Sequence, residues 1–221
     1  MGQRKTSRSG LETRDRIIDA ALETVRTEGL VGTSVRVIAR TGGFNQALVF
    51  YHFGSVEELL LAALERANER RMGRFRSRLE QAETLSDLVA VGMDLHATEA
   101  DPDHPALTAI VAGWSTSSDM GPRIVEILKP WDDLVAGALR RSLAGTSFEG
   151  VAPVDDLAHA ISALFMGIEV FERLDGDQSR ADSLFDSLAR AAKMADPLLK
   201  ALSGSALAAS VEAAAANRSS N

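Results

Sequence analysis

The chain has no cysteine. Disulfides, thiolate metal sites and thiol catalysis are excluded in one step, and the composition fits a cytoplasmic protein. No apolar run reaches the about 18 residues that a membrane-crossing helix needs, so no membrane partner is expected. The opening MGQRKTSRSG is polar and basic without an apolar centre, and it does not read as a signal peptide. Internal repeats, a glycine-rich phosphate loop and runs of alternating strand pattern are also missing. The Glu-x-x-His pairs of di-metal bundles do not occur, and the nearest approach is Asp156-x-x-His159. Asp101, Asp103 and His104 form caps beside Pro102 and Pro105 more simply than they form a metal site. No serine stands at a motif spacing from a base. A helical-bundle enzyme or metal carrier is therefore the weaker alternative, and the expectation is no enzyme, no cofactor and no metal.

What is present is helix. Apolar residues make up 45% of the chain and charged ones 25%, ample for a core. The formal charge of -7 hides an asymmetry, because the stretch from Met1 to Arg78 is net basic and the remainder strongly acidic. A basic head on an acidic body suggests that only the head meets a polyanion.

The stretch VRVIARTGGFNQALVFYHF, Val35 to Phe53, carries the most information. Ile38, Phe44 and Val49 fall where two short helices joined by a tight turn point inward. Ala39 is small where such helices cross, and Gly43 can take the positive φ that the turn requires. Asn45 is a good N-cap, which leaves Gln46, Ala47 and Leu48 on the exposed first turn of the second helix. Such a turn is what a recognition helix offers to the major groove. Thr33 and Ser34 can cap the first of the two helices, where hydroxyls and N–H groups bind phosphate readily, and Arg36 and Arg40 lie on its outer side.

Before this stretch, Arg4, Lys5 and Arg8 sit among Gly, Ser and Thr and predict a flexible basic arm over 1–10 that can follow phosphates or enter a minor groove. Ile17, Ile18, Ala21, Leu22 and Val25 then recur at helical spacing up to Gly29, a C-cap candidate. After it, Ser55-Val56-Glu57-Glu58 has capping-box spacing and opens a helix running to about Leu79. Its arginines, Arg66, Arg70, Arg71, Arg74, Arg76 and Arg78, read as a solvated face.

The rest of the chain reads as helix after helix. Leu85, Leu88, Val89, Gly92 and His96 share one face, and Leu107, Ile110, Val111 and Trp114 form another stripe. Pro130 interrupts a longer helix from Pro122 to Leu143 and predicts a kink beside Trp131. The helix from Val154 to Leu174 is apolar round most of its circumference and needs cover on two sides. With the following helix, Ala181 to Leu202, it suggests a four-helix seam between two subunits, through Leu157, Ile161, Leu164, Ile168, Leu184, Leu188, Ala191 and Ala195. Trp114, Trp131, His96, Met93, Met120 and Phe165 supply the aromatic and soft groups of an apolar ligand pocket. The segment 204–221 is expected to be a flexible tail.

A helix, a helix-turn-helix ending in VFYHF, a capped helix starting SVEELL and an acidic helical body together resemble the TetR family of bacterial transcription regulators. The motif resemblance covers Thr13 to Leu61. It implies an all-α fold with a three-helix DNA-binding domain over 11–54, followed by a larger helical domain over 55–203 that binds an effector and dimerises. The implied partners are a double-stranded operator, a second copy of the chain and a small-molecule effector. The implied role is that of a repressor released by an apolar or aromatic compound, the alternative being a regulator that acts with a protein partner and no ligand. By position, Arg36, Tyr51 and His52 resemble phosphate-touching residues, with Asn45, Gln46, Ala47 and Leu48 opening the base-reading helix. Gln46 can bond an adenine edge in two places and Leu48 can meet a thymine methyl, each good contact being worth about 1–3 kcal/mol. The chain departs from the family at Leu48, often small and polar, and at Val56, often a phosphate-binding lysine. Gly42 replaces the usual alanine, which is expected to loosen the turn by up to about 1 kcal/mol.

Overall fold

The structure, a computed structural model, describes residues 3–97, 103–114 and 119–202, and for 3–9, 175 and 178 it describes the backbone alone. Among these residues there are nine helices and no strand. They are α1 (Gln3–Gly32), α2 (Val35–Gly42), α3 (Gln46–Phe53), α4 (Val56–Gln81), α5 (Leu85–His96), α6 (His104–Trp114), α7 (Gly121–Leu143), α8 (Val154–Asp175) and α9 (Gln178–Ala201). The all-α expectation holds. Packing divides the chain into two compact units, Met1–Arg74 with Glu99–Lys129, and Phe75–Thr98 with Pro130–Asn221. The divisions therefore fall inside α4 and at Pro130 of α7.

In the first unit α1 packs on α2 and α6. Ile17, Ile18, Ala21, Leu22 and Val25 are buried, as their spacing predicts. Each of the larger side chains, Ala21 apart, contributes about 1.5–3 kcal/mol when taken from water. Gly29 breaks the helical path of α1 with φ 70° and ψ 171°, the expected stop. Thr24 is fully buried, and its hydroxyl bonds the Ala20 carbonyl at 2.7 Å and the Thr41 hydroxyl at 3.1 Å, which ties α1 to α2. The basic arm expected over 1–10 is a correction, since the backbone is already helical from Gln3. Gln, Arg and Lys are good helix formers, and Gly10 alone does not end the run. The side chains of Arg4, Lys5 and Arg8 lie outside the described residues, as do Asp101, Pro102 and the tail 204–221.

Ser55 caps α4 by accepting the Glu58 N–H at 3.2 Å. The Glu58 carboxylate goes to Arg123 instead, where it receives two guanidinium bonds. The arginines of α4 are not a bare solvated face either. Arg66 pairs with Asp15, Arg70 with Asp19 and Asp103, and Arg71 is buried against His104. Pro130 does not end α7, although it has no N–H to give the turn before it. In that turn the Ile127 carbonyl accepts the buried Asn68 side-chain amide at 2.8 Å.

In the second unit α5 and α9 pack together, and α9 also meets α8. Thr84 and Asp87 form a full capping box at the start of α5, and Asp196 of α9 accepts the Leu85 and Ser86 N–H groups at 2.9 and 3.1 Å. Phe75, Leu79, Leu88, Val91, Val135, Leu139 and Ala158 make the core, with Leu85, Trp131 and Ile161 against it. A Cβ at Gly92 would stand 3.6 Å from the Phe185 ring, an ordinary contact, so α5 and α9 meet here at a separation an alanine would also fit.

Candidate nucleic-acid interface

Ser34 caps α2 in extended geometry and accepts the Val37 N–H at 3.4 Å. Thr33, expected to share that role, gives its hydroxyl to the Gly29 carbonyl at 2.7 Å. It therefore closes the break in α1 and leaves Ser34 as the cap. α2 ends at Gly43, whose φ of 66° and ψ of 38° are left-handed, and the Phe44 N–H returns to the Ala39 carbonyl at 3.0 Å. Ile38 and Val49 are fully buried and Ala39 nearly so. Phe44 is only half-buried, and its ring fills the space beside Gly42. A Cβ at Gly42 would sit 2.7 and 2.8 Å from Phe44 Cδ1 and Cζ, so the glycine makes room for the ring and does not simply loosen the turn.

The Asn45 side chain accepts the Ala47 N–H at 2.9 Å and its carbonyl accepts from Leu48 at 3.0 Å, which starts α3. With Val49 inward, Gln46, Ala47 and Leu48 face solvent. Arg36, Ala39, Arg40, Gly43, Phe44, Asn45 and Gln46 line an open groove along the turn. Arg36 and Arg40 are exposed, and Arg40 meets the Glu28 carboxylate at 3.7 Å. Such an exposed pair is worth about 0–1 kcal/mol and yields readily to a phosphate. Tyr51 is 82% exposed, and its ring meets His52 edge-on with centroids 5.0 Å apart. Arg14 lies over the Phe53 ring at 4.9 Å, which fixes the end of α3 against α1. Gly54 turns the chain with φ 78°, and α4 leaves α3 at 74°. Cationic, amide and hydroxyl groups thus surround a short helix whose first turn is bare, an arrangement suited to a polyanionic groove.

The pocket residues divide between the units. Trp114 and Met120 belong to the first, while Met93, His96, Trp131 and Phe165 belong to the second, and all six are partly buried. His96 sits within a cluster that spacing did not reveal. Its Nδ1 lies 3.1 Å from Glu169 Oε1 and its Nε2 3.6 Å from Glu172 Oε2, and the Phe185 ring packs on it with centroids 5.0 Å apart. Phe165 meets Phe185 edge-on at 6.2 Å. Burial holds the Arg173 guanidinium below its ordinary value, against the pull of Glu169 and Glu172. Two acids three residues apart, following the apolar run from Ala163 to Ile168, were the available signal for Glu169 and Glu172.

On α8, Leu157 and Leu164 are 43% and 48% exposed, and Ile161 and Ile168 are half-buried. On α9, Leu184, Leu188 and Ala195 are half-buried and Ala191 is exposed. Phe171 and Leu174 on α8 and Met194 and Leu198 on α9 are exposed as well. Ala181, Phe185 and Ala192 are the inward residues of α9.

The family model of the bacterial regulatory proteins of the tetR family matches residues 17–63. The HTH-type transcriptional regulator TtgW of Pseudomonas putida is 43% identical over 61 residues, 28% of this chain and 46% of TtgW. The HTH-type transcriptional repressor NicS, from another strain of Pseudomonas putida, is 26% identical over 143 residues, 63% of this chain and 65% of NicS. The chain thus spans less than two thirds of the length of either relative. A solved structure of the multidrug binding protein EbrR complexed with imidazole aligns over 79% of this chain and 93% of its own with a TM-score of 0.59. At 23% identity that likeness concerns the fold alone. The capped, glycine-closed turn and the buried triad of Ile38, Ala39 and Val49 lie inside the matched segment, and it is over residues 17–63 that the chain matches the tetR family of bacterial regulatory proteins.

Proposed function

We propose that the chain is a DNA-binding transcription regulator that acts as a homodimeric repressor on a palindromic operator and is released by an apolar or aromatic small molecule. The observation that carries the reading is the solvent-facing first turn of α3, capped by Asn45 and backed by buried Val49. Gln46 and Leu48 read base edges, with Ala47 between them allowing close approach. Ser34, Arg36, Tyr51 and His52 hold phosphates and set the register. The repressor role is supported by the name of NicS.

The homodimer is supported by the apolar face left on the second unit. Leu157, Leu164 and Phe171 recur every seven residues on α8, and Met194 and Leu198 are four apart on α9. A two-fold dimer sets two α3 helices about 34–36 Å apart, one turn of DNA. For the effector, Met93, His96, Trp131 and Phe165, all in the second unit, are the candidate contacts, and EbrR is named as a multidrug binding protein. To weaken operator binding about 100-fold, such a ligand must favour the released state by roughly 2.7 kcal/mol.

Fluorescence anisotropy on DNA from upstream of the gene, against random DNA at two salt concentrations, tests the reading. Saturable binding at two chains per site is expected, with Gln46→Ala changing the ranking of operator variants. Arg36→Ala should weaken all sequences and reduce the salt slope by about 1. Equal weak binding to both DNAs, or an unchanged ranking for Gln46→Ala, overturns it.

A further inference from the structure

We propose that His96, Glu169 and Glu172 form a binding site for a divalent transition-metal ion such as Zn2+. His96 closes α5, and Glu169 and Glu172, three residues apart, share one face of α8. Three kinds of observation point to an ion there. The first is burial, since the side chains of His96, Glu169 and Glu172 are 8%, 3% and 17% exposed. Two carboxylates held this far from water need positive charge close by. Arg173 contributes some at a distance, but a guanidinium has no lone pair and leaves the donor set unchanged.

The second is geometry. One donor atom from each residue lies within 4.8 Å of the others. Glu169 Oε1 lies 3.1 Å from Nδ1, close to the about 3.3 Å between donors that a tetrahedral ion at ~2.0–2.1 Å from each would impose, whereas Glu172 Oε2 lies 3.6 Å from the other ring nitrogen, Nε2, so an ion held through Nδ1 needs the Glu172 carboxylate to turn toward it. Glu172, the most exposed of the three, has the most room to move. The third is orientation. Phe185 packs on the face of the His96 ring, while Nδ1, in the ring plane where metals bind, is turned to Glu169. With one imidazole nitrogen, two carboxylate oxygens and no thiolate, the set suits Zn2+, Co2+, Ni2+ or Mn2+, with water completing the shell. The inference stands apart from the DNA reading, since it concerns the second unit alone.

The test uses the full-length protein stripped with EDTA and dialysed against Zn2+, Co2+, Ni2+ or Mn2+, with bound metal measured by elemental analysis and the melting temperature recorded with and without the ion. One ion per chain and a raised melting temperature are expected. Binding should weaken at least about tenfold in Glu172→Gln and His96→Gln, and bound Co2+ should give the visible absorption of a low-symmetry site. His159→Gln, whose histidine pairs with Asp132 away from the cluster, should bind as the parent does. Because Glu169→Gln alters a buried side chain, Glu172→Gln carries the decision, with circular dichroism showing that it is folded. Uptake of none of the four ions, or uptake unchanged in both Glu172→Gln and His96→Gln, overturns the proposal.

Discussion

Replacing Gly42 by alanine asks whether the turn between α2 and α3 is shaped by backbone preference or by the Phe44 ring. Gly42 is the last residue of α2 and is not among the glycines with positive φ. On backbone grounds alone, Gly42→Ala should stabilise by up to about 1 kcal/mol. The ring reverses that sign. A Cβ at Gly42 lies 2.7 and 2.8 Å from Phe44 Cδ1 and Cζ, and nearer still to Cε1, where carbon contacts settle at about 3.5–4.0 Å. The Phe44 backbone is held by its N–H bond to the Ala39 carbonyl, so the ring itself must swing away. Overpacking of this kind costs about 1–3 kcal/mol, which against the full backbone gain leaves a net loss of roughly 0–2 kcal/mol. Urea denaturation of the parent, Gly42→Ala, Phe44→Ala and the double variant isolates the ring. In the Phe44→Ala background the alanine should become neutral or stabilising, giving a coupling of about 1–3 kcal/mol. A stabilised Gly42→Ala single variant, or a cost that persists once the ring is gone, refutes the reasoning.

Ile38→Ala should lose about 2–5 kcal/mol of unfolding free energy, because the side chain is fully buried; a loss below about 1 kcal/mol would mean that the turn is not the centre of the first unit's packing. Leu164→Glu combined with Leu198→Glu places charge on the exposed apolar faces of α8 and α9 and should yield monomers in light scattering, whereas an unchanged mass would move the seam elsewhere. Acidification should destabilise the protein. Hydrogen bonds from Arg26, Arg123, Thr84 and Ser179 hold Glu23, Glu58, Asp87 and Asp177 below their ordinary values of 4.5, 4.5, 3.8 and 3.8. Their contribution is complete above those values and is lost as pH falls through the lower folded ones. Denaturation midpoints that stayed flat or rose between pH 5 and pH 2 would contradict this.

The elements that spacing predicted are those made by local chemistry. Gly29, Gly43 and Gly54 stop helices because each takes a backbone conformation of positive φ, and Ser34, Asn45 and Ser55 start them with side-chain oxygens that reach only two or three residues ahead. These are near-neighbour effects, visible in a window of a few residues. The bonds that tie helices together inside each unit are not of that kind. Arg70 reaches Asp19 and Asp103, Asn68 reaches the Ile127 carbonyl, and Asp196 caps α5 from more than a hundred residues away. No periodicity encodes which acid meets which arginine, so the arginines of α4 read as a solvated face when several of them are partnered.

The same distinction explains what was legible in the site. Gln46, Ala47 and Leu48 are exposed because Asn45 begins the helix and Val49 turns inward, both of which follow from their order along the chain. Gly42 was misjudged because its role depends on the position of a ring two residues on, not on its own propensity. His96 was placed on an apolar face, but its meaning changes once α8 brings Glu169 and Glu172 to the edge of its ring. Buried among apolar groups, an imidazole alone is a packing residue; beside two carboxylates it is part of a polar cluster. The exposed first turn of α3 is therefore written in one stretch of sequence, whereas the charge cluster of the second unit exists only where separate helices meet.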